Sequence, residues 1–162
     1  MFRRTAMLYE RIFSGLQRQQ KAMELLQNLL LEEFDLLVAR DTEAVAHLEF
    51  SIHELLRQIA SEKMQVIRLL EGQKACDYAT TLPEKAREAM LDLLRTLDGL
   101  EQHCARQATS NAELSLSLLD QSRALLNTLH ARIFPKTGST YGKHGAMNSS
   151  RRPEAALLAG RL

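Results

Sequence analysis

TEAVAHLEFSIHELLRQIASEKMQVIRLLEG, residues Thr42 to Gly72, places Val45, Leu48, Ile52, Leu55, Ile59, Glu62, Val66 and Leu69 at alternating three- and four-residue steps. All but one of these residues are apolar, and the spacing is the heptad of a helix that packs along its length against another helix. Met64, Ile67 and Leu70 widen the stripe, which predicts packing against more than one neighbour. Glu62 interrupts it, and a long acidic side chain on a core stripe can reach out to water, so no role follows for it from the pattern alone. Gly72 is the expected stop signal.

The same period extends to both sides. From about Arg4 to Arg40, Leu8, Ile12, Leu16, Met23, Leu26, Leu30, Phe34 and Leu37 form one stripe. Gly15 inside it costs roughly 1 kcal/mol against Ala, and predicts a bend or separately moving first turns. Asp41, Thr42 and Glu43 suit an N-cap and acidic first turn, but an unbroken helix through them fits the pattern about as well. Residues 73–82 lose the period, apart from a short turn around Cys76 to Ala79. Pro83 then suits the start of a last long helix carrying Ala86, Met90, Leu93, Leu97, Leu100 and Cys104. After Gln107 and Asn111 that stripe resumes at Leu114, Leu118, Leu125 and Leu129. Trp is absent and aromatics make up 5% of the 162 residues. The fold class is therefore all-α: an elongated antiparallel helical bundle or coiled-coil hairpin of three to four helices with a flexible C-terminal tail.

Two segments follow from composition. Residues 1–134 read as the helical bundle, with 16 Lys and Arg against 19 Asp and Glu, and residues 135–162 as the tail, with 5 against 1. Between Pro135 and Pro153 there is no Leu, Ile, Val or Phe, so nothing drives core formation. Over 153–162, Ala155, Leu158, Ala159 and Leu162 share one face of a short helix, too short to hold alone in water. A formal net charge of +1 argues against nucleic-acid binding, which needs a concentrated basic face. No apolar run reaches the roughly 20 residues of a membrane span, and MFRRTAMLYER leads into no signal-peptide core, so a cytoplasmic protein is the simplest reading.

Chemistry is hard to find in the chain. Cys76 and Cys104 form no CxxC pair and have no histidine at ligand spacing, so no metal site is expected. No histidine has a glutamate three residues before it, which removes the ExxH motif of di-iron bundles. TGSTYGKHG, residues 137–145, has its glycines one residue too close for a phosphate-binding GxxxxGK, and Lys143 is followed by His144. No nucleophile, base and orienting acid stand together, so neither an enzyme nor a cofactor is expected.

Two residues stand out. Asn111 falls on the stripe, where a buried Asn would cost stability and fix register or partner number; a locally exposed flank, or the end of the packed section, fits equally well. Tyr141 is the only aromatic after Phe134; it reads either as incidental or as the anchor of a docking peptide, since Tyr gives a large amphipathic contact at low entropic cost.

Taken in order, LLLEEFDLLVARDTEAV (29–45), the Leu55–Leu56 pair, Asn111 followed by Leu114 and Leu118, and TYGKHG resemble the FlgN-type flagellar export chaperones over about Leu26 to Gly145. The resemblance implies a non-enzymatic cytoplasmic chaperone. Such a protein binds the C-terminal helices of hook-filament junction proteins, prevents their premature assembly and delivers them to the flagellar type III export gate. It further implies that Tyr141, Gly142 and Gly145, matching the family's YGxxG stretch, contact the gate. The last third of the chain would hold the substrate helix, through Leu114, Leu118, Leu125 and Leu129 and, in the tail, Ala155 and Leu158. The stripes also allow a homodimer, or a self-assembling coiled-coil scaffold with a plain tail.

Overall fold

The structure is a computed structural model and describes residues 2–134, with side chains from Met7 onward. Every element among these residues is helical: α1 (Phe2–Ala39), α2 (Thr42–Leu69), the short α3 (Ala75–Thr80) and α4 (Glu84–Ile133). The fold is all-α, as the 3.6-residue periodicity requires. The expected tail and its short helix over 153–162 lie outside the described residues.

Whether the first two helices are one is decided at Arg40 and Asp41. Arg40 takes a left-handed conformation with φ of 59°, and the Asp41 side chain accepts a hydrogen bond from the Ala44 amide at 3.0 Å. Leaving the helix and capping a new one are thus encoded in adjacent residues, and the chain reverses there. At its far end α2 stops at Leu69, followed by left-handed Glu71 and Gly72. The Pro83 carbonyl accepts from the Arg87 amide at 2.9 Å, so proline stands just ahead of α4, where its missing N–H removes no helical bond.

α1 and α2 pack antiparallel through two close contacts. Gly15 is buried, and a Cβ built on it would lie 2.8 Å from Val66 Cγ2. One turn on, Arg18 grips Glu62 with both arms of its guanidinium, Nε to Oε1 and Nη2 to Oε2, each at 3.0 Å. The hydrogen bond to Glu62 raises the Arg18 pKa above its ordinary value, against the opposing effect of burial.

Three expectations are corrected by this geometry. α1 runs unbroken through Gly15, where a Cβ would collide with Val66 of α2, so the position serves close packing rather than only weakening the helix. Glu62 does not merely reach for water but binds Arg18 across the helix pair, an exchange worth about 1 kcal/mol at this exposure. Of the residues expected to widen the α2 stripe, Leu70 is buried, whereas Met64 and Ile67 are exposed, Ile67 lining the groove between α2 and α4.

The core comprises Ile12, Leu16, Met23, Leu26 and Leu30 from α1, Ile52, Leu55 and Val66 from α2, and Met90, Leu93, Leu97 and Cys104 from α4, closed at one end by Leu70, Tyr78, Ala79 and Leu82. The Tyr78 hydroxyl is buried without a hydrogen-bond partner among the described residues, and burial raises its pKa. The chain divides into two compact units after Leu118.

The glycines give a matched test of this packing. Gly99→Ala has open space around the new methyl group and should stabilise the protein by up to about 1 kcal/mol through helix propensity. Gly15→Ala gains the same propensity but drives a methyl group into the stiff Val66, and should lose about 1–3 kcal/mol net in urea unfolding. Equal shifts for the two variants would contradict the close approach.

Candidate functional site

Leucine stripes can slide past each other by a turn at modest cost, so the register of α4 needs a more specific determinant. Asn111 provides it. At 3% exposure, its Nδ2 donates to the Leu30 carbonyl and to Glu33 Oε2, both at 2.7 Å, while its Oδ1 accepts from Gln107 Nε2 at 2.9 Å. Three of the amide's four hydrogen-bonding positions are thereby filled. Seven residues earlier, the Cys104 thiol lies 3.7 Å from the Met23 carbonyl, and burial raises its pKa. Both contacts join residues 81 apart, so α4 runs parallel to α1 in a single register. Asn111 is therefore buried against α1 and not on an exposed flank, and it is also the last buried residue of α4 among the described residues, as an end of the packed section would be.

The buried core stops at this layer. Leu30 is the last buried residue of α1, Ile52 the first of α2 and Asn111 the last of α4 among the described residues. The apolar stripes nevertheless continue: Phe34 and Leu37, Val45 and Leu48, and Leu114 and Leu118 are all half-buried.

The second unit begins at Leu119, and its described part is the end of α4 with Phe34's counterpart in type, Phe134, just after it. On it Leu125 is 62% and Leu129 44% exposed, and Leu126 and Ile133 are exposed as well. Leu125 and Leu129 stand one turn apart on one helix face, and Leu126 and Ile133 broaden it. Of the residues expected to hold a partner helix, Leu114, Leu118, Leu125 and Leu129 thus sit on α4, half-buried or exposed. Tyr141, Gly142, Gly145, Ala155 and Leu158 lie outside the described residues.

In the first unit, a cavity of about 440 Å³ lies between α2 and α4, with Leu16 and Gln19 of α1 among its lining and the Lys63–Glu101 ion pair at its edge. Gln19 is 6% exposed, and its Nε2 has no hydrogen-bond partner among the described residues. Sequence reading passed over Gln19, and took Gln107 only as a gap in the α4 stripe. Gln19 could have been noticed, since it falls on the stripe between Leu16 and Met23; the pairing of Glu33 with Asn111 could not, because it joins residues 78 apart.

Among the described residues no three His, Cys, Asp or Glu side chains are placed to hold a metal ion, and no helix is long and apolar enough to cross a membrane. Among known protein families, the one described as FlgN protein matches residues 7–149. No curated protein and no solved structure matches the chain.

Two substitutions probe the buried amides. Asn111→Ala strands Glu33 and Gln107 and should lower unfolding free energy by about 2 kcal/mol, with Asn111→Leu less damaging. Gln19→Met removes an unpaired buried donor and should raise stability by about 1 kcal/mol. A wild-type urea midpoint for Asn111→Ala would show that the amide carries no such weight.

Proposed function

This chain belongs to the FlgN family of flagellar export chaperones, and from that premise we propose that it is a cytoplasmic chaperone for the C-terminal helices of hook-filament junction proteins. The observation that carries the reading is the exposed face of α4 with Leu125, Leu126, Leu129 and Ile133. An apolar face of this kind is matched by the apolar face of another amphipathic helix, which aggregates or assembles early unless covered. Holding the cargo helix there keeps it out of premature assembly. Release follows mass action and competition at the export gate, and the protein consumes no nucleotide and performs no chemistry of its own.

In this reading Leu114, Leu118, Ala155 and Leu158 also contribute to cargo binding, as the resemblance implies. Tyr141, Gly142 and Gly145 form the docking peptide for the export gate. A second reading, a self-assembling scaffold or homodimer, draws on the exposed Phe50, Leu56, Met64 and Ile67 of α2. Light scattering separates the two: a stable oligomer without cargo affinity favours the scaffold.

Titration with peptides from the C-terminal helices of hook-filament junction proteins should give saturable one-to-one binding. The double variant Leu125→Asp/Leu129→Asp should weaken it at least about tenfold while leaving the unfolding midpoint unchanged, since both side chains are exposed. Unaltered cargo affinity would remove α4 from the site. In parallel, Tyr141→Ala should spare cargo binding and weaken capture by the cytoplasmic part of the export gate. Loss of cargo binding with gate capture intact would reverse that assignment.

A further inference from the structure

The layer of Leu30, Ile52 and Asn111 separates a closed core from an open end within the first unit. On the closed side the stripe residues are largely buried. On the open side, Phe34, Leu37, Val45, Leu48 and Leu114 keep the same helical spacing, and none is buried. Among the described residues no fourth element completes the layer over these three half-covered apolar stripes. A helix fits there better than a strand, since the neighbouring backbones are already bonded within their own helices and offer no edge to pair with.

Charge specifies that helix further. Residues 31–50 carry six carboxylates against one arginine, whereas residues 2–21 carry five basic groups against one acidic. Asp35, Glu49 and Glu113 each stand one position from a half-buried stripe residue, Phe34, Leu48 and Leu114 respectively. One position is about 100° around the helix, which puts a carboxylate on the flank of every apolar stripe. All three are exposed, and none is in an ion pair with another described residue. Elsewhere in the first unit Glu62 is paired with Arg18 and Glu101 with Lys63.

We propose that this open end docks an amphipathic helix of the cargo whose apolar stripe is flanked by Lys and Arg. The proposal rests on the chaperone reading for the helix's owner, and adds a second docking position, on the first unit and separate from the face with Leu125 and Leu129, with the chemistry that selects its occupant. The flanking charges remain in contact with water, so they act on encounter rate and partner choice more than on depth of binding, and their effect is screened by salt.

The test uses the full chain and three probes followed by fluorescence anisotropy: a synthetic helical peptide with a Leu stripe flanked by Lys, its isomer flanked by Glu, and a junction-protein C-terminal helix. The Lys-flanked peptide should bind one-to-one, at least about tenfold tighter than the Glu-flanked isomer, and about tenfold weaker when salt rises from about 0.05 to about 0.5 M. The triple variant Asp35→Lys/Glu49→Lys/Glu113→Lys should reverse the preference between the two synthetic peptides. Asp35→Asn/Glu49→Gln/Glu113→Gln, which keeps size and fold, should reduce it by about threefold. Equal binding of the two peptides, or a preference unmoved in both variants, overturns the proposal. The junction-protein helix separates the readings: if it binds wild type and both variants alike, the chaperone function stands and this docking end falls. If it binds none while the Lys-flanked peptide behaves as expected, the docking end stands and its cargo is another protein.

Discussion

The amide of Asn111 costs more to bury than any leucine beside it unless its donors and acceptor find partners, and they find them in one alignment only. Its donors reach the Leu30 carbonyl and Glu33, and its oxygen accepts from Gln107. A shift of α4 by one turn would carry the amide away from Glu33 and leave it unpaired in the core, a penalty on the order of 1–3 kcal/mol. The surrounding leucines would lose far less by the same shift, since one methyl-lined hole resembles the next. Asn111 thus makes one register of α1 and α4 preferred over its neighbours.

The hairpin of α1 and α2 is fixed on the same principle by different means. Gly15 admits Val66 to a distance no other residue would permit, and one turn away Arg18 and Glu62 form a bidentate pair that forms in this alignment. Neither contributes much energy by itself. Together they choose among alignments that the apolar stripes leave nearly degenerate, which is the role that polar and small residues play in long helical packings.

Helix type, the main stripes and the Asp41 cap were legible in the sequence because each depends on residues within a turn of one another. Glu62 was legible only as an interruption, since its partner is 44 residues away. Gly15 read as a weakness because helix propensity is local, whereas its use, a close approach to Val66, is a property of the helix pair. Met64 and Ile67 belong to the period as well as Leu70 does, and periodicity cannot say which of the three is covered. For Asn111 the stripe gave the position, but its principal acceptor is a backbone carbonyl, which no side-chain pattern announces. Of the candidate site, the α4 leucines were visible as an apolar repeat, and the end of the buried core was one of the readings open at Asn111, whereas its continuation through Leu30 and Ile52 was not visible.

That end of the core bears on how a protein can keep apolar surface uncovered and still fold. A bundle closed along its whole length would bury its stripes against itself, with nothing left to cover a partner helix. A bundle open along its whole length would not offset the conformational entropy of ordering its helices. Here the buried residues gather on one side of the Asn111 layer, with Ile12 and Met90 wholly enclosed, while the stripes beyond it stay half-covered. The closed side can hold the helices in register with no partner present, and the polar layer keeps that register where the open side begins. Apolar area left free on such a frame is already arranged when a helix arrives, so less of the binding energy is spent on ordering it. A site built this way gains affinity from preorganisation, and the carboxylates on its flanks restrict which helices use it.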